Sequence, residues 1–163
     1  MFPDDIDALA RQVVEAAGSR GLIIATAESC TGGLVAGALT AVPGSSAALD
    51  RGFVTYSNAA KSEMLFVSAS LIQAHGAVSQ AVARAMAEGA VSRSGAAVSV
   101  AVTGIAGPGG GSDEKPVGLV HFAASGPAGL IHAEHRFGDP GRETIRLESV
   151  RVALRLLLDR IGG

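Results

Sequence analysis

The sequence predicts an α/β protein, a three-layer sandwich whose mixed sheet of about five strands is flanked by helices. Three observations predict it. Short apolar, β-branched runs alternate with segments of helical period through most of the chain, the pattern of strands connected by crossover helices. Late in the chain "GLVHFAAS" and "LIHAEHRF" flank "GPAG", and a hairpin there must pair antiparallel, which makes the sheet mixed. The 163 residues are 48% apolar and only 17% charged, enough for one buried core and a single domain over residues 1–163.

The elements follow in order. In "DDIDALARQVVEAAGSRG" the residues Ile6, Leu9, Val13 and Val14 recur at helical spacing, and Gly18 or Gly21 supplies the stop. "LIIATA" reads as a short buried strand. "TGGLVAGALTAV" predicts a helix beginning just after Ser29 and ending at Pro43. "GFVTYSN" is strand-like, and "AAKSEMLFV" predicts one or two helical turns. Ser79 is placed to cap the helix "SQAVARAMAEGAVSRSG". "AAVSVAVTG" is an apolar strand running into the glycine-rich "GIAGPGGGSDEKPVG", and the hairpin comes next. For the last, amphipathic helix Asp139 suits the N-cap and Pro140 the first helical position.

Composition excludes several function classes. Net charge is −2 with no basic cluster, so nucleic acid is not an expected partner. No apolar run approaches the roughly 18–20 residues of a membrane span, and the acidic "MFPDDIDALARQ" lacks the layout of a signal peptide. Cys30 is the only cysteine, which rules out an intramolecular disulfide and a cysteine-rich zinc site. His132 and His135 fall in one strand at i,i+3, where they point to opposite faces, so no metal is expected. The expected location is the cytoplasm.

Three stretches carry candidate chemistry. "ESCTGG" is a strand-to-helix turn, the place where ligands bind in such sheets. Gly32 and Gly33 leave N–H groups open at a helix N-terminus, suited to an anion or a developing oxyanion. Ser29 or Thr31 also serves as a simple helix cap on this reading. Cys30 is either a nucleophile or a small buried apolar residue, and Glu28 a base, a ligand partner or a turn residue. In "TYSNAAK" a desolvated Lys61 can act as base for a serine hydroxyl with Tyr56 orienting the proton, or it is an ordinary surface lysine. "TGIAGPGGGSDEKPVG" lacks the Walker spacing, yet glycines after a strand let a ligand approach the backbone, with Thr103 at the strand end. Arg142 and Arg146 share a face near the start of the last helix and suit either phosphate or solvent.

Taken jointly, "AESCTGG", "GFVTYSNAAK", "HGAVS" and "VTGIAGPGGG…KPVG" resemble the C-terminal domain of the CinA (competence/damage-inducible) family, which includes nicotinamide-nucleotide amidohydrolases. The resemblance runs from about Leu22 to the last helix and suggests the stand-alone form. It implies hydrolysis of nicotinamide mononucleotide to nicotinate mononucleotide and ammonia, without a metal or other cofactor, by a protein expected to be a homodimer. Ser29 matches the family nucleophile, Lys61 its general base, and Tyr56 the tyrosine that completes the site. Substrate contacts are expected from Glu28, Cys30, Thr31, Gly32 and Gly33, and from Thr103, Gly104, Gly107, Gly109 and Gly110. The family reads Phe-x-Gly-Asp-Arg before its last helix, whereas "FGDPGRETIR" inserts Pro140 and Gly141, which favours Arg146 over Arg142 as the phosphate ligand. A non-catalytic nucleotide-binding module with the same glycine loops is the alternative from another class. A thiol enzyme built on Cys30 is a third.

Overall fold

The computed structural model describes residues 1–162. Strand β1 (Ile24–Glu28) lies inside a five-stranded sheet of order β2-β1-β3-β4-β5, with β2 (Leu49–Val54), β3 (Val98–Gly104), β4 (Leu119–Gly126) and β5 (Gly129–Arg136). The first three are mutually parallel, β4 and β5 run antiparallel, and only Pro127 and Ala128 separate the hairpin strands. The mixed sheet expected from the sequence is therefore present. All five residues of β1 are buried, which is why its stretch reads as a continuous apolar run rather than an alternation.

Helices cover both faces. Helices α1 (Asp4–Arg20), α2 (Leu34–Thr40) and α6 (Arg142–Gly162) pack on the face carrying Val98, Val100, Val102, Val120 and Phe122. Helices α3 (Asn58–Leu65), α4 (Ala69–His75) and α5 (Gln80–Ser92) take the other face, which carries Ala25, Ala27, Ala101 and Ala123. Small residues on that second face let α5 sit close, and Ser99 Oγ donates to the Ala87 carbonyl across 2.7 Å. Gly89 serves the same closeness on the far side of α5, where a Cβ would collide with the Leu65 carbonyl.

The end of α1 is within expectation, at Gly21, left-handed at φ 62°. Several other boundaries differ from the sequence expectation, each for a local reason. Helix α2 starts at Leu34 because Gly32 and Gly33 are left-handed and cannot belong to it. Gly141 at φ 101° delays α6 to Arg142, two residues past Pro140. No element is expected from the sequence over residues 69–75; Ser68 caps α4 there by accepting from Leu71 N–H. Ser57 and Ser79 cap α3 and α5 in the same way. No helix among the described residues is long and apolar enough to cross a membrane. The three parallel strands finish at one edge, so Ser29, Thr55–Tyr56 and Thr103–Gly104 emerge beside one another.

Candidate active site

The chain leaving β1 is tied on both sides before it turns. Ser29 N–H donates to the Val102 carbonyl at 2.9 Å, and Thr55 N–H to the Glu28 carbonyl at 2.8 Å. Gly32 N–H then closes the turn on the Ser29 carbonyl at 3.0 Å. Neither Ser29 nor Thr31 caps α2. Glu28 does so from inside: Oε1 accepts from Val35 N–H at 2.9 Å and Oε2 from Ala36 N–H at 3.0 Å. A carboxylate suits the positive end of a helix, and both oxygens of this one are taken there, away from the residues that line the cavity. The structure thus places Glu28, expected from the sequence as a base, a ligand partner or a turn residue, at the start of α2. Glu28→Ala should cost about 2 kcal/mol in urea unfolding by stranding two helix N–H groups.

Lys61 comes to Ser29 from α3. The residue is 1% exposed, and its Nζ donates to the Thr55 carbonyl at 2.7 Å and to Ser29 Oγ at 3.0 Å. No carboxylate among the described residues pairs with it. Burial holds its pKa below the usual lysine range, because the desolvated ammonium is disfavoured. The opposite holds for Cys30, whose thiol is pushed up to about 11 by burial, with the Glu28 charge adding to the rise. A half-buried hydroxyl thus faces an amine biased toward its neutral form, while the neighbouring thiol stays protonated.

The glycine stretch closes the site from above. Gly118 N–H donates to the Ile105 carbonyl and Ile105 N–H to that of Leu119, which pins the neck of the loop. Lys115 Nζ reaches the His75 carbonyl at 2.6 Å, a cation at the C-terminal end of α4. Thr103 Oγ1 donates to the Ala77 carbonyl at 2.9 Å and so holds the "HGAVS" segment against the strand end. Arg142 spans the mouth, donating from Nη1 to the Gly107 carbonyl at 2.7 Å and from Nη2 to the exposed Tyr56 hydroxyl at 3.0 Å. These parts border an open cavity of about 300 Å³.

Of the residues singled out from the sequence, Ser29, Cys30, Tyr56, Lys61, Thr103, Gly104, Gly107, Gly109, Gly110 and Arg142 line that cavity. Glu28, Thr31, Gly32, Gly33 and Arg146 do not. Thr31 is fully buried, the two glycines shape the turn, and Arg146 bonds the Cys30 and Thr31 carbonyls from behind. The insertion of Pro140 and Gly141 delays α6 so that Arg142, not Arg146, stands at the cavity. Sequence reasoning missed Ala77, Val78, Ile105 and Ala106 as lining residues. Only the "HGAVS" motif pointed at the first two, since their side chains carry no chemistry. His132 pairs with His121 on one face of the hairpin, the rings' Nε2 and Nδ1 2.9 Å apart, and His135 stacks on Phe137. Among the described residues no group of three His, Cys, Asp or Glu is arranged to hold a metal.

Known proteins share this sequence and this fold. A family model described as the CinA C-terminal domain matches residues 6–161. A CinA-like protein of Synechococcus sp. (strain RCC307) is 54% identical over 157 residues, which cover 96% of this chain and 38% of that relative. The chain thus spans well under half the length of such curated relatives. Among solved structures, the competence/damage inducible protein CihA from Agrobacterium tumefaciens superposes with a TM-score of 0.97 at 55% identity, covering 100% of this chain and 99% of that one. The competence damage-inducible protein A (ComA) from Klebsiella pneumoniae gives 0.92 at 37% identity, over 97% and 98% of the two chains.

Proposed function

We propose, from the premise that the chain belongs to the CinA C-terminal domain family, that it hydrolyses nicotinamide mononucleotide to nicotinate mononucleotide and ammonia. The observation that carries this reading is the 3.0 Å contact between Ser29 Oγ and Lys61, a buried lysine with no carboxylate partner among the described residues. With the amine neutral, that contact reverses and the hydroxyl donates to Nζ. Ser29 Oγ attacks the carboxamide carbon while its proton passes to Lys61. The C–N bond then breaks, Lys61 returns the proton to the leaving nitrogen, and ammonia departs. Water attacks the acyl-enzyme as Lys61 takes its proton, and Lys61 returns that proton to Ser29 Oγ as the ester C–O bond breaks and nicotinate mononucleotide leaves. The substrate's pyridinium charge makes the carbonyl more electrophilic throughout. The N–H group of Cys30, which has no acceptor among the described residues, supports the oxyanion beside the glycine loop. The direct test is ammonia release from nicotinamide mononucleotide by the purified protein. No release above background would leave a nucleotide-binding module.

The phosphate is the remote handle for so small a reacting group. Arg142 supplies it on this reading, since it lines the cavity and commits only two of its five N–H donors, to the Gly107 carbonyl and the Tyr56 hydroxyl. Arg142→Ala should raise KM for the mononucleotide about ten- to a hundred-fold, from roughly 1.5–3 kcal/mol of charged hydrogen bonding. It should also narrow the gap to nicotinamide riboside, which lacks the phosphate. Equal gaps in the two proteins would remove Arg142 from phosphate recognition.

A further inference from the structure

We infer that Arg146 is a positioning residue for Ser29, acting through the two carbonyls that follow the serine rather than on the substrate. Its Nε donates to the Cys30 carbonyl at 3.1 Å and its Nη2 to the Thr31 carbonyl at 3.2 Å. Within the turn, Ser29 O is taken by Gly32 N–H and Thr31 O also by Leu34 N–H, but Cys30 O receives no backbone donor. Arg146 is its sole partner among the described residues, on a residue that is almost fully buried. A trans peptide points its N–H opposite to its C=O, so holding the Cys30 and Thr31 carbonyls toward α6 fixes both following peptide planes.

The guanidinium is well anchored to do this. Its neighbours Ile145, Ser149 and Val150 are fully buried on α6, so the stem starts from a rigid helix face. A planar fork matches two adjacent carbonyls in a way that a point-charge ammonium cannot. Space on the turn side is already used, because a Cβ on Gly32 would lie 3.4 Å from Nη2. The turn is therefore gripped from three directions: β3 through Val102 O, α2 through Glu28, and α6 through Arg146. Lys61 meets Ser29 from α3 on the opposite face of the sheet, so small rotations of the turn translate directly into loss of the 3.0 Å contact.

This inference rests on the serine–lysine reading, and two measurements separate their failures. The first is the rate at which a fluorophosphonate probe labels Ser29, followed by mass spectrometry, which needs no turnover of nicotinamide mononucleotide. The second is kcat and KM for the mononucleotide and its riboside. Arg146→Met should slow labelling and lower kcat about a hundred-fold, as expected for a displaced reacting group. KM and the ratio of the two substrates' efficiencies should stay at their wild-type values. Arg146→Lys, able to reach one carbonyl, should recover part of both rates. Unchanged labelling with a lowered melting temperature would reduce Arg146 to a structural strut and overturn the proposal. A raised KM with a narrowed substrate ratio would overturn it by making Arg146 a phosphate ligand. If Arg146→Met does not fold, wild-type labelling in Arg146→Lys overturns it and a several-fold loss supports it. A wild-type Ser29 that never labels removes the group being positioned, and the proposal with it. Slowed labelling alongside no ammonia release would uphold the positioning role while rejecting the substrate.

Discussion

Ser29→Ala should bring ammonia release from nicotinamide mononucleotide to background, a loss of at least about a thousand-fold in kcat, because no other group stands at the attacking position. Cys30 borders the same cavity but is a poor substitute. With its thiol pushed up to about 11, only on the order of one molecule in ten thousand carries the thiolate at pH 7. Cys30→Ala should accordingly keep most of the activity, and alkylating reagents should act slowly on a side chain so buried. Steady-state ammonia assays on the two variants decide the assignment. Loss confined to the cysteine variant would exchange the roles of the two residues.

Lys61→Arg should be nearly as inactive, since a guanidinium does not give up its proton and cannot accept one from serine. The wild-type pH profile carries the same information. Burial lowers the Lys61 pKa, so the neutral amine becomes available, and activity rises, through a limb below the usual lysine value of 10.5. The same shift has a consequence for stability. Between the depressed folded value and 10.5 the unfolded chain binds more protons than the folded one, so stability increases with pH across that window. The contribution is fully present above 10.5 and is lost as the pH falls through the folded value. Lys61→Met removes the titrating group, so thermal melts from pH 7 to 10.5 should show wild type gaining on the variant as the pH rises. Parallel melting curves, together with turnover retained in the arginine variant, would show that Lys61 is not the base.

The sheet was legible because burial writes itself into composition. Strand β1 is buried on every residue and its stretch contains nothing but small, apolar or hydroxyl side chains before Glu28. The hairpin was legible because its turn chemistry is local. Helix starts were less so: Gly141 and the pair Gly32–Gly33 moved two of them by taking left-handed φ values that leave no periodicity to read. Helix α4 went unread because seven residues are too few to establish a period, and its cap is a single serine.

At the site, the sequence by itself determined which residue types were available: one serine in a glycine turn, one lysine after a tyrosine, one cysteine and a glycine loop. It also determined that parallel strands would carry their ends to a common edge. Only the tertiary structure decided what each group does there. Residues 32 positions apart in the chain meet as Ser29 Oγ and Lys61 Nζ, and those 116 apart as Cys30 O and Arg146 Nε. Glu28 ends a strand and Lys61 lies on the helix after one, both charged groups that sequence alone leaves open, yet their buried surroundings send them opposite ways. One spends both oxygens on a helix terminus, while the other has only a carbonyl and a hydroxyl to bond. Desolvation and hydrogen-bond partners come from groups far away in the chain, and no local pattern records them.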